Sequence, residues 1–192
     1  LSLHDALPIY QQALEEVYAS PVFPKANRIA NDISDMFAER LSKDEFDFVL
    51  SAFDVFNYLE DFEDFNEGLK GVYDSLKVGG KFVFDLHTPK KIRDMINNQV
   101  FGYEDEEISY LWFTYETDRE LEVESELSFF VKEDSGLYRK LEQFHSQRTY
   151  EVDAIFDSIE SIGFKINDYF CDFNKNNKDF DSSDRIIFIL EK

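Results

Sequence analysis

Outside its many acids, the sequence offers few side chains that could move a proton or bind a metal. It has three histidines, His4, His87 and His145, and one cysteine, Cys171. A single cysteine rules out a disulfide within the chain and any cysteine-based metal centre. The histidines are far apart, and no D-x-[DN]-x-[DN]-G calcium loop occurs, so no metal is expected. Asp61, Glu63 and Asp64 suit the start of a helix, where the helix dipole favours acids. His87 directly follows the apolar run Lys81–Leu86. Imidazole titrates near neutrality, so His87 is either a general base or a polar loop residue. Asp54 and Asn57 share the segment after another apolar run; both residue types also stabilise turns.

The hydrophobic pattern supplies the elements that must position these groups. Gln11–Ala19 has apolar residues at helical spacing, ended by Pro21 and Pro24. Arg28–Ile33 reads as a short strand, and Phe46–Leu50 as a buried parallel strand. Ser51–Leu59 reads as a loop. Phe62, Phe65, Leu69, Val72, Tyr73 and Leu76 then mark a helix expected to stop at Gly79-Gly80. Lys81–Leu86 is a second buried strand, which completes a βαβ unit.

Beyond Pro89 the period changes. Leu121, Val123, Leu127, Phe129 and Val131 alternate with polar residues, as in an antiparallel strand with one wet face. Asp134-Ser135-Gly136 signals a hairpin turn. With Ser109–Tyr115 and Tyr138–Arg148 this gives an expected three-stranded meander. Val152, Ile155, Phe156, Ile159 and Ile162 form a further helix closed by Gly163. Lys165–Cys171 and Arg185–Leu190 are the final strands, joined by a polar loop over Asn174–Asp184.

Composition narrows the partners. Hydrophobic residues make up 43% of the chain, and 21 Phe point to a core filled by aromatic rings. The net charge of -21, from 41 acidic against 20 basic residues, repels nucleic-acid phosphates and anionic membranes. No apolar run approaches the roughly 20 residues of a membrane span, and no leader pattern is read at the start. A cytoplasmic location is expected. Leu1–Ile9 (LSLHDALPI) resembles one translated frame of a common DNA-sequencing adapter. Those residues are expected to be non-native, with a missing segment before Tyr10.

The order of the remaining segments resembles the second half of class I S-adenosylmethionine-dependent methyltransferases. The closest likeness is to a small bacterial group with a β-insertion. The resemblance rests on Asn31-Asp32-Ile33 at a strand end, FDFVLSAFDVFNYL (46–59), LKVGGKFVFDLHTP (76–89), FFVK (129–132) and HSQRTY (145–150). It covers 10–192 as a single partial methyltransferase domain, with 103–148 as a substrate-side β-insertion. The fold it implies is α/β: a Rossmann-like sheet lacking its first two strands, with an antiparallel three-stranded insertion. The glycine-rich loop and the ribose-binding acid of the family have no counterpart, because none of the seven glycines forms a Gly-x-Gly.

The resemblance also assigns roles. Asp32 and the Ile33 backbone would hold the adenine of S-adenosylmethionine, or Asp32 would be a loop or capping carboxylate. Ala52 and Phe53 would lie against the methionine end, with Asp54 facing the sulfonium or ammonium and Asn57 orienting ligand. His87 or Asp54 would take a proton from the acceptor. Tyr110, Trp112, His145, Arg148 and Tyr150 would line an acceptor pocket under the insertion. There Arg148 would clamp an anion or simply neutralise nearby acids. The implied activity is methyl transfer to an unidentified small molecule, with the chain on its own expected to be inactive. The alternative is a non-catalytic acidic interaction module that has lost cofactor binding.

Overall fold

The computed structural model describes residues 43–98, 100–133 and 135–192. The readings made for Leu1–Ile9, Gln11–Ala19 and Arg28–Ile33, including Asp32 and Ile33, lie outside these residues, as does Asp134 of the hairpin turn.

Strand β1 (Phe46–Ser51) leads through a 3-10 turn (Val55–Tyr58) to helix α1 (Phe62–Ser75) and then to strand β2 (Leu76–His87). Asp61 caps α1, its Oδ1 accepting from the N–H groups of Glu63 (2.8 Å) and Asp64 (3.0 Å). Phe65, Leu69 and Val72 form its fully buried stripe. The helix ends at Ser75, earlier than the expected stop at Gly79-Gly80. Leu76 is already extended and pairs with Phe46. The glycines instead shape the entry to β2. Gly79 takes φ +81°, and a Cβ on Gly80 would lie 2.8 Å from the Lys77 carbonyl oxygen.

β1 and β2 run parallel, and β2 is followed in the sheet by β8 (Arg185–Glu191) and β7 (Lys165–Cys171), giving the order β1-β2-β8-β7. β8 is antiparallel to both its neighbours. Helix α3 (Val152–Ile162) closes at Gly163, φ +111°, as the sequence indicated. The core is aromatic as expected: Phe82 stacks on Phe84 at 4.8 Å, Phe84 on Phe188 at 5.1 Å, and Phe56 meets Phe65 edge-on at 5.5 Å. β1 departs from expectation. It is parallel but not buried, with Phe48 54% and Leu50 60% exposed. Among the described residues β1 pairs with β2 alone, so its outer edge and one face stay uncovered.

The insertion is a four-stranded antiparallel sheet, not a three-stranded one. Its order is β3 (Val100–Glu104), β4 (Ile108–Glu116), β5 (Glu122–Lys132) and β6 (Tyr138–Arg148). Helix α2 (Pro89–Asn98) precedes it and was not expected from the sequence. Its signals were present in proline at the first helical position and Ile92, Met95 and Ile96 at helical spacing. Thr88 Oγ1 accepts the Lys91 N–H at 3.2 Å as a cap. Ile92 and Met95 pack with Val123 and Trp112, which fixes the insertion to α2. No helix among the described residues is long and apolar enough to cross a membrane.

Candidate functional site

Because β1 and β2 are parallel, their carboxyl ends open on one edge, where folds of this kind place ligands. Beyond β1 the chain makes a sharp turn in which Phe53 (φ +69°) and Asp54 (φ +53°) are both left-handed. Asp tolerates this conformation; for Phe it costs roughly 1–2 kcal/mol. A buried polar cluster holds the turn. The Asp54 N–H donates to Asp85 Oδ2 at 3.1 Å. Arg185 Nη2 donates to Asp54 Oδ1 at 2.7 Å, and Gln147 Nε2 donates to Asp54 Oδ2 at 2.6 Å. Arg185 Nη1 also pairs with Asp85. His87 Nε2 lies 3.3 Å from Asp54 Oδ2.

The cluster brings two carboxylates, one guanidinium and one imidazole into a region largely closed to water. The side chains of Asp54 and Arg185 are only 12% and 16% exposed. Burial alone would raise the Asp54 pKa. The hydrogen bond and charge of His87, with those of Arg185, outweigh it and hold the carboxyl well below the usual range. Asp54 is therefore ionised with both oxygens engaged. It is better suited to anchor and orient than to accept a proton. The Asp54 contact fixes His87 Nε2 as the donor nitrogen. His87 Nδ1 is buried and has no hydrogen-bond partner among the described residues.

Asn57 is fully buried, and its amide is spent on the backbone. Nδ2 donates to the Arg148 carbonyl at 2.8 Å, and Oδ1 accepts the His87 N–H at 2.9 Å. Thr149 Oγ1 adds a bond to the His87 carbonyl at 2.7 Å. Together they seat the end of β6 over the end of β2. Ala52 and Phe53 stay at the mouth, with the Phe53 ring 52% exposed.

The expected acceptor-pocket residues divide between two faces of the insertion. Alternation along β4, β5 and β6 puts Tyr110, Trp112 and His145 on the face that carries Gln147 and Val123, toward α2 and the cluster. Tyr110 stacks on Tyr103 and lies tilted against Phe129. Trp112 packs on Phe101 at 4.9 Å, with its indole N–H buried and without a hydrogen-bond partner among the described residues. His145 meets the Tyr58 ring edge-on, and burial lowers its pKa. Arg148 lies on the opposite face with Glu122 and Ser146. Tyr150 has left the strand and packs against Phe62 and Phe65; burial pushes its phenol up to about 12.

Sequence reading missed Asp85, Arg185 and Gln147. Asp85 and Arg185 were visible as charges at the ends of the apolar runs FVFDL and RIIFIL, where buried charge needs a partner. Gln147 carried no signal of its own, since its role depends on how the insertion docks. A groove of about 760 Å³ is lined wholly by α1 and α3 and touches none of these groups.

No protein-family model matches the sequence. A Geobacillus sp. (strain WCH70) protein named "Putative methyltransferase" is 33% identical over 147 residues, covering 77% of this chain and 59% of that protein. "Putative methyltransferase YqeM" of Bacillus subtilis (strain 168) is 32% identical over 148 residues, again 77% of this chain and 59% of the relative. The chain thus spans less than two thirds of the length of these relatives. The crystal structure of an S-adenosylmethionine-dependent methyltransferase from Clostridium acetobutylicum ATCC 824 matches with a TM-score of 0.72 and 27% identity. That match covers 81% of this chain and 61% of the other. CalS10, an amino pentose methyltransferase from Micromonospora echinaspora solved with S-adenosylmethionine bound, matches with a TM-score of 0.60 and 16% identity, over 82% of this chain and 63% of the other. At that identity the likeness bears on fold alone.

Proposed function

From the chain's likeness to S-adenosylmethionine-dependent methyltransferases we propose that it forms part of an enzyme moving a methyl group from S-adenosylmethionine to a small-molecule acceptor. The observation that carries this reading is the Asp54–Arg185–Asp85–His87 cluster at the carboxyl edge of the parallel strands, under the docked insertion. Bound there, the cofactor supplies an electrophilic methyl group on a sulfonium.

The residues at the mouth fit the cofactor's methionine end. The left-handed turn leaves Phe53 half-exposed at the mouth, where an aromatic ring gives a positive sulfonium a favourable face. Asp32 and Ile33 are proposed for the adenine side. Asp54 acts as a positioning residue. It holds His87 so that, in the neutral imidazole, Nδ1 is the nitrogen that takes the acceptor's proton. Asn57 keeps His87 and the insertion in register. Tyr110, Trp112 and His145 belong to the face of the roof that excludes water and lines the acceptor side. The acidic surface and single cysteine suit a small acceptor in the cytoplasm and disfavour nucleic acid. Since no Gly-x-Gly occurs in the sequence, the chain alone is proposed to bind the cofactor weakly and not to turn over.

The test is to titrate S-adenosylmethionine to millimolar concentration into the isotope-labelled full chain and follow amide resonances. Saturable shifts at Ala52, Phe53 and His87, lost in Phe53→Asp with the rest of the spectrum unchanged, are the expected result. A well-dispersed spectrum that does not respond would overturn the proposal.

A further inference from the structure

On the face of β6 opposite Gln147 lies a cavity of about 280 Å³ walled by Arg148, Arg119, Glu122, Glu60, Ser146 and Asn57, the last of which accepts the His87 N–H on its other side. Its size is just below the roughly 300–1,000 Å³ of ordinary ligand pockets. Arg148 has no carboxylate partner among the described residues, and its Nε–H is buried without an acceptor. The guanidinium sits over the Tyr150 ring at 5.2 Å. Tyr150, with its phenol pushed up by burial, stays neutral and offers a ring rather than a charge.

The lack of a partner is unexpected in a chain with 41 acids and 20 Lys and Arg residues. Glu122 is the direct cross-strand neighbour of Arg148, yet it turns elsewhere. Its Oε1 takes Arg119 Nη1 at 3.2 Å and the Ser146 hydroxyl at 3.1 Å, and its Oε2 takes the Thr117 hydroxyl at 2.9 Å. Arg119 spends its other terminal nitrogen on the Glu60 carbonyl at 2.5 Å. Arg119 and Glu122 are thus committed within the protein, and Glu60 lends the wall a second carboxylate. Arg148 is the cation of the wall with no carboxylate partner among the described residues, and its planar fork matches a carboxylate.

We propose that this cavity binds a small monocarboxylate through Arg148, at a site separate from the methyl-transfer centre. The single uncommitted cation, with Glu122 alongside, suits one negative charge and disfavours a dianion such as phosphate. The partial desolvation of Arg148 strengthens the pairing.

The probe is propionate, titrated into the isotope-labelled full chain at constant ionic strength with chloride as the balancing anion and no cofactor present. The Arg148 Nε–H resonance should shift saturably with propionate and not with chloride. Arg148→Lys keeps the charge but loses the fork, and should weaken binding at least tenfold. Arg119→Gln frees Glu122 to pair with Arg148 from within, so it should weaken propionate binding as well. A linear response equal to that of chloride would overturn the proposal. So would undiminished binding in Arg148→Lys, or in Arg119→Gln if the lysine variant does not fold.

Discussion

The side-chain oxygen of Asn57 accepts the backbone N–H of His87 at 2.9 Å, while its amide nitrogen holds the carbonyl of Arg148. One buried amide thus ties the end of β2 to the end of β6. Asn57→Ala should leave a backbone donor and a backbone acceptor without partners, at about 1–3 kcal/mol. Hydrogen exchange should quicken at the His87 amide and along the end of β6 before it changes in β8. Uniform exchange, unaltered at His87, would show that the clamp contributes nothing.

Arg185 compensates two buried carboxylates at once. Arg185→Met should cost about 3–5 kcal/mol in urea unfolding, because it strands both charges. Replacing Asp54, Asp85 and Arg185 together with apolar residues of similar size should cost less than the single change. A single-variant loss under about 1 kcal/mol would mean that the cluster is open to water.

Asp54 also sets an acid limb. Its folded pKa is depressed, so its contribution to stability is present above the unfolded value of about 3.9 and fades as pH falls toward the folded value. Asp54→Asn should be less stable than the parent at pH 7. The gap should narrow steadily below about pH 4. Urea midpoints of both chains across that range give the measurement; a constant gap would remove Asp54 from the acid response.

Gly80 lies against two carbonyl oxygens, with a Cβ at that position 2.8 Å from Lys77 and 3.2 Å from Phe46. Gly80→Ala should destabilise by about 1–3 kcal/mol through backbone displacement at the β1–β2 pairing. Gly79→Ala meets no atoms but forces alanine to φ +81°, so its cost is conformational. Thermal melts of the two variants separate steric from torsional cost.

Much of the parallel sheet was legible because its strands are short apolar runs bounded by turn residues, and α1 and α3 because their stripes keep a helical period. The end of α1 was misread because Gly79-Gly80 looks like a helix stop. Pairing of Leu76 with Phe46 ends the helix sooner, and that pairing is a long-range fact. α2 and β3 were hidden by their lack of a long apolar run. α2 buries Pro89, Ile92 and Met95, and β3 has no buried residue. In the site, His87 and Asp54 stood out by residue type. Their partners Arg185 and Gln147 lie 131 and 93 positions from Asp54, and only the docking of β8 and β6 brings them there.

The position of β8 between β2 and β7 has a consequence for synthesis on the ribosome. Asp54 and Asp85 are made long before the cation that neutralises them. At about 5–20 residues per second the 131 positions to Arg185 take on the order of 10 s. In that interval the nascent chain carries two acids with no counter-charge and a sheet without its inner strand. The turn that presents Phe53 cannot be locked until β8 has been released and inserted. Synthesis and insertion of β8, rather than collapse of the earlier segments, therefore set when this site comes into being.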